Sequence, residues 1–202
     1  MSAVEKIFVI EPVDRARADL YDFLSLLLAR PADADLLTRI AALQGDDSPI
    51  GAAMDSLARL ARVTSAETAE REFNVLFIGL GRGEQLPYAS YYLTGFLNEK
   101  PLAALRADMA SRGIERAEGK FEPEDNIASL MEMMGGLIVG RFGTVTPLAE
   151  QKTFFEAHID AWAGHFFSDL ERTGSSVFYA AVGALGRRFM EIEREGFRLL
   201  TA

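Results

Sequence analysis

Few residues in this chain are of types that do chemistry, and their spacing narrows the choices further. His158 and His165 lie seven residues apart with Trp162 between them. On one helix that is about 10 Å of rise, too far for two imidazoles to share a metal ion easily. The pattern therefore reads as core-facing aromatics that hydrogen-bond to a neighbouring helix. An acidic cluster follows a different logic: Glu115, Glu118, Glu122, Glu124 and Asp125 flank Pro123. Paired carboxylates can serve acid–base work when their environments split their pKa values. No nucleophile, metal-ligand set or phosphate clamp accompanies these. Gly79-Leu-Gly81-Arg-Gly83 looks superficially like a phosphate cradle, but a helical pattern precedes it and Pro87 follows, so neither nucleotide fingerprint fits. It reads as a helix-ending turn or a peptide-contact loop. Pro87-Tyr88-Ala-Ser90-Tyr91-Tyr92 puts polar-tipped rings around most of a helical turn, so at least one should face solvent or a partner. Met131, Met133 and Met134 have the spacing of a core stripe, with an adaptable binding surface as the lesser alternative.

The elements that must position these residues are helical. The 202 residues include 29 Ala and 24 Leu against 19 Val plus Ile, a ratio that favours helix over strand. Ala16, Leu20, Phe23, Leu24 and Leu27 recur at three- and four-residue steps between Pro12 and Pro31, predicting a first helix with that apolar face. Asp33 predicts a short helix to Leu43, and Ser48-Pro49 another to Ala61. Thr64 to Glu67 has capping-box spacing and predicts a helix to about Ile78. A short aromatic helix spans Tyr88–Gly95, and Asn98 is expected to cap the next, which carries Leu102, Leu105 and Met109. Three long patterns follow: Asn126–Phe142, Pro147–Arg172 and Ser176–Gly196. The class is all-α, a two-lobed bundle of roughly eight to ten helices. Its expected organisation is an N-terminal lobe over 1–118, a joint at 119–125 and a C-terminal lobe over 126–202, forming one compact unit.

Composition removes several functions. With no Cys there is no disulfide framework, thiolate zinc site or cysteine nucleophile. A formal net charge of −9 disfavours nucleic acid and suits a cationic ligand. The first residues lack the basic start and apolar middle of a secretory signal. The longest apolar stretch, from Ile127, is interrupted by Glu132 and Arg141 and is too short to span a membrane. A cytoplasmic protein with no integral membrane segment is the expectation.

The order of motifs resembles the TorD/DmsD family of redox-enzyme maturation chaperones. Glu72-Phe-Asn-Val-Leu-Phe77, the glycine loop and Leu86-Pro-Tyr-Ala-Ser-Tyr-Tyr92 are similar to that family's central signature. Glu122-Pro-Glu-Asp-Asn126 falls where the family carries E-P-x-D-H, with Asn126 in place of the final His. Gln151 to Leu170, containing His158 and Trp162, is similar to a later family helix. The resemblance spans about residues 15–195. It implies a TorD-like fold and a non-catalytic role without cofactor or metal. The implied role is to bind the twin-arginine signal peptide and apo form of a molybdenum-cofactor oxidoreductase, assist cofactor insertion and delay export. By analogy, the binding residues would be Phe73, Leu76, Phe77, Gly81, Pro87, Tyr88, Ser90, Tyr91, Glu122, Pro123, Asp125 and Asn126.

Physical chemistry supports such a ligand independently. Two adjacent guanidinium groups and an apolar helical stretch call for carboxylates and an aromatic groove. Two other readings stay open: a generic helical adaptor for another peptide, and a metal-dependent helical hydrolase built on Glu122, Glu124 or Asp125. A flexible joint would also permit a domain-swapped homo-oligomer.

Overall fold

The structure is a computed structural model that describes residues 10–116, 119 and 122–200. Glu118 of the acidic cluster, positions 120 and 121 of the joint, and residues 1–9 lie outside the described residues. Ten α-helices and one π-turn make up the regular structure among those described. They are α1 Pro12–Ala29, α2 Ala34–Ala41, α3 Pro49–Ala61, α4 Ala66–Phe73, the π-turn Asn74–Ile78, α5 Ala89–Thr94, α6 Lys100–Ser111, α7 Ile127–Val139, α8 Leu148–His158, α9 Ala163–Glu171 and α10 Phe178–Leu199. The all-helical class is thus the one the sequence predicts. Among the described residues no helix is long and apolar enough to cross a membrane.

Local signals set many of the boundaries. Arg30, placed before Pro31, is extended at φ −162°, which ends α1 at Ala29. Asp33 and Ser48 cap α2 and α3 by accepting the amides of Leu36 and Gly51. Two expected caps move. Ser65, not Thr64, opens α4 by accepting the Thr68 amide. Asn98 does not cap α6; it takes the left-handed conformation (φ +60°) while Glu99 occupies the cap position.

Tertiary packing corrects other expectations. The buried side of α1 runs through Ala18, Tyr21, Leu24, Ser25, Leu27 and Leu28, so Ala16 is exposed and Leu20 and Phe23 are half-buried. The helix has rotated its face because it packs on α7 and also meets α10. The methionines of α7 are core: Met131, Met133 and Met134 are buried in a helix that is apolar nearly all round. The single pattern expected over Pro147–Arg172 is two helices. Between them the Trp162 indole turns inward and donates to the His158 carbonyl at 2.8 Å. Arg194 of α10 donates to the Asp160 carbonyl at 2.8 Å and to its carboxylate at 2.6 Å. These side chains satisfy backbone groups that a continuous helix would have paired internally. His158 reaches Asp108 of α6 at 3.0 Å, as a core histidine should, whereas His165 is exposed.

One buried polar network ties three helices together. Arg17 of α1 makes a bidentate pair with Glu193 of α10, at 2.7 and 2.8 Å, and Tyr21 donates to the same carboxylate at 2.9 Å. Gln151 of α8 accepts from Arg17 at 3.2 Å. Glu193→Ala would remove the bidentate partner of Arg17 and the acceptor of Tyr21, a change that costs about 3 kcal/mol, at the low end for a buried pair because Arg17 keeps its ion pair with Asp14 at 2.7 Å and some access to water. Denaturant melts of the variant measure this loss directly.

His158 adds a pH dependence. Burial depresses its pKa below the ordinary 6.5, against the raising effect of Asp108. A folded value below the unfolded one means that stability is complete above pH 6.5 and is lost as pH falls through the folded value. Thermal unfolding from pH 7.5 to 5.5 should therefore show a smaller decline for His158→Gln than for the parent chain.

Candidate functional site

Two segments far apart in sequence meet at the site. Pro87–Ser90 and Asp125–Ile127 run antiparallel with a single bridge between Tyr88 and Asn126. The amide of Ala89 donates to the Asp125 carbonyl at 2.9 Å, and that of Ile127 donates to the Pro87 carbonyl at 2.8 Å. Tyr88 is extended because Pro87 and this bridge hold it so, and its side chain cannot cap α5. The cap comes from elsewhere. One oxygen of Asp125 accepts the Ser90 amide at 2.8 Å and the Ser90 hydroxyl at 2.5 Å. Asp125 is 1% exposed and Ser90 fully buried, so this carboxylate faces the helix and not solvent.

The remaining acids divide sharply. Glu124 is held by Arg106 at 2.8 Å and Arg116 at 3.1 Å. Burial works against its charge, yet those guanidinium groups keep its carboxyl below the usual range. Glu122 is exposed and accepts a hydrogen bond from the Tyr88 hydroxyl. Burial, reinforced by that carboxylate, pushes the Tyr88 phenol well above its ordinary value, so it stays a donor. Asn126 caps α7 by accepting the Ala128 amide at 2.9 Å. This role suits a neutral amide, which needs no proton to fill it. Pro123 is half-buried between the acids. Glu115, beyond them, is exposed. Among the described residues, no three His, Cys, Asp or Glu side chains group so as to hold a metal ion.

The aromatic residues form the floor. Phe73 and Leu76 are buried, and Phe77 is half-buried against Phe73, Phe166 and Tyr179 at centroid distances of 4.9, 6.5 and 5.9 Å. These three support the site more than they offer surface. Tyr92 packs on Trp162 and donates to Asp169 at 3.1 Å. Tyr88, just before α5, and Tyr91, within it, are both half-buried. The glycine loop folds back on the π-turn, with the Gln85 amide donating to the Leu76 carbonyl at 2.8 Å. Gly79, at φ +63°, permits a turn so tight that a Cβ there would lie 1.9 Å from the Arg82 carbonyl oxygen. Gly81 at the tip is exposed, as is Leu80.

Sequence reasoning missed two contacts. Arg82 of the loop donates to the Tyr91 hydroxyl at 2.5 Å. Glu72, in the motif before the loop, accepts from the Ser176 hydroxyl and the Phe178 amide, capping α10. Nothing local signals either one, because each partner arrives through tertiary folding.

Comparison with known proteins fixes the family. Residues 43–168 match the family model described as the nitrate reductase delta subunit. Chaperone protein TorD of Aliivibrio fischeri is 26% identical over 198 residues, covering 88% of this chain and 92% of that protein. The chain belongs to the TorD/DmsD family of redox-enzyme maturation chaperones. TorD of Vibrio cholerae El Tor is 24% identical over 202 residues, covering 90% of this chain. A crystal structure described as a redox enzyme maturation protein from Archaeoglobus fulgidus superposes with a TM-score of 0.58 at 21% identity. It covers 93% of this chain and 99% of that one, and it supports the all-helical fold. The relatives are named as chaperones, so this TorD-family chain is not an enzyme.

The geometry assigns Asp125 a structural duty. Asp125→Ala removes a buried carboxylate that accepts two bonds, and each bond to a charged group contributes about 1.5–3 kcal/mol. The variant should lose at least about 2 kcal/mol of stability in denaturant unfolding, with amide exchange fastest in α5.

Proposed function

We propose that this chaperone binds the twin-arginine signal peptide of a molybdenum-cofactor oxidoreductase in the cytoplasm. It holds the apoenzyme until cofactor insertion is complete and so delays export. The observation that carries this reading is the exposed Glu122 carboxylate held by the Tyr88 hydroxyl, at the start of a helix that carries a second half-buried tyrosine, Tyr91. Of the three acids at 122–125, Glu122 is the one left accessible; Glu124 is already paired and Asp125 is turned inward. A guanidinium arriving there finds a planar acceptor for its fork and aromatic edges for its faces. The segments next to this site in the chain carry exposed apolar residues: Ile78 at the end of the π-turn, Leu80 in the loop, Leu93 in α5, and Phe96 and Leu97 just after it. They suit the apolar stretch of such a peptide. In this reading Phe73, Leu76, Phe77, Pro87, Ser90, Asp125 and Asn126 shape the surface. Tyr88, Tyr91, Glu122, Pro123 and Gly81 touch the ligand.

Calorimetric titration with a synthetic peptide tests the assignment, using two adjacent arginines followed by an apolar stretch. Glu122→Gln should weaken binding roughly tenfold, the lower end for a charge-assisted bond because the residue is exposed. Tyr88→Ala should weaken it further, since ring and hydroxyl are both lost. The same peptide with lysines should bind less well, because an ammonium lacks the bidentate fork. Equal binding of both peptides points to a general adaptor for cationic segments. If both variants bind as the parent chain does, the site lies elsewhere.

A further inference from the structure

Arg82 differs from the other cations around the site. Arg106 and Arg116 both pair with Glu124. Arg82 is exposed and pairs with no carboxylate among the described residues, in a chain with nine more acidic than basic side chains. Its side-chain partner is Tyr91, whose hydroxyl accepts from Nη2 at 2.5 Å and whose ring centroid lies 5.1 Å from Cζ.

The loop delivers this guanidinium by design of its backbone. Gly79 makes the tight turn beneath Arg82. On the far side, the Glu84 and Gln85 amides donate to the Val75 and Leu76 carbonyls at 3.3 and 2.8 Å. The Glu84 side chain accepts from the Ser175 hydroxyl at 2.7 Å. The tip carrying Leu80, Gly81 and Arg82 is therefore anchored at both ends, and its one cation is aimed at α5. Tyr88 precedes α5 in an extended conformation and Tyr91 lies within that helix. One holds a carboxylate and the other a guanidinium, yet Glu122 and Arg82 form no ion pair with each other.

We propose that Arg82 is an internal occupant of the guanidinium place on Tyr91, displaced when a peptide arginine binds there. This rests on the peptide reading above. It makes Arg82 a specificity-determining residue: its bond must be given up and its charge opposes a cationic ligand. A peptide with a planar guanidinium can replace what Tyr91 loses, whereas a peptide without one leaves the hydroxyl unpaired and the repulsion uncompensated.

Removing the occupant should favour the ligand. Arg82→Ala should bind the diarginine peptide roughly two- to tenfold more tightly, the equivalent of one ordinary hydrogen bond no longer displaced. Part of the gain is electrostatic and should shrink as salt is added. Arg39→Ala, which takes the same charge from exposed α2, controls for net charge alone and should gain less. Arginine amide without any peptide provides a separate arm. Followed by NMR of the tyrosine rings, it should shift Tyr91 in Arg82→Ala and much less in the parent chain at the same concentration. If Arg82→Ala binds the diarginine peptide no better than the parent, or worse, the inference falls while the peptide reading stands. If the parent chain binds no diarginine peptide, the peptide reading falls and the arginine-amide arm decides on Arg82. An equal Tyr91 response in both proteins overturns the inference.

Discussion

A buried carboxylate, Asp125, caps a helix that begins thirty-odd residues earlier in the chain, and the site is arranged around that interaction. Because Pro87 and the bridge to Asn126 hold Tyr88 extended, α5 has no cap of its own. A helix of six residues with orphan amides at its start would be marginal in isolation. Asp125 supplies the missing acceptor through a side-chain oxygen at the positive end of the helix. The same residue hands its carbonyl to Ala89, so side chain and backbone act together. Tyr88, Tyr91 and Tyr92 take their directions from this start.

The acids at 122–125 also show how such a run can be less available than its composition suggests. Their side chains are engaged in three different ways: Asp125 on a helix N-terminus, Glu124 on two arginines, and Glu122 on the Tyr88 hydroxyl while exposed to solvent. Only the last leaves a carboxylate able to meet a cation without breaking the fold. In the proposed peptide-binding reading, recognition of a cation would rest on this one acid and Tyr88, with the overall negative charge adding long-range attraction and faster encounter.

Behind the site, aromatic packing joins the elements that carry it. Phe77 of the π-turn meets Phe166 of α9 and Tyr179 of α10, while Tyr92 of α5 meets Trp162 and Phe166. The inward turn of Trp162 is also what breaks the predicted long helix into α8 and α9. The break thus coincides with the place where Trp162 joins the aromatic floor. Glu72 closes the far side by capping α10.

What the sequence determined by itself was whatever depends on neighbours along the chain. Its helical class follows from Ala and Leu content and period, and the starts at Asp33 and Ser48 follow from caps that reach one turn ahead. The stop before Pro31 and the coreward stripe of Met131, Met133 and Met134 belong to the same group. The motif order that resembles the chaperone family was equally legible, since order along the chain is what a sequence records. Tertiary structure alone decided which face of α1 is buried, where the Pro147–Arg172 pattern breaks, and which joint acid stays exposed. Asp125 finds its partner 35 residues away and Arg82 nine residues away, while the ring of Trp162 packs on Tyr92 of another helix. Burial and pairing of a charged or aromatic side chain are set by what folds against it, and a spacing rule that spans one helical turn carries no information about that.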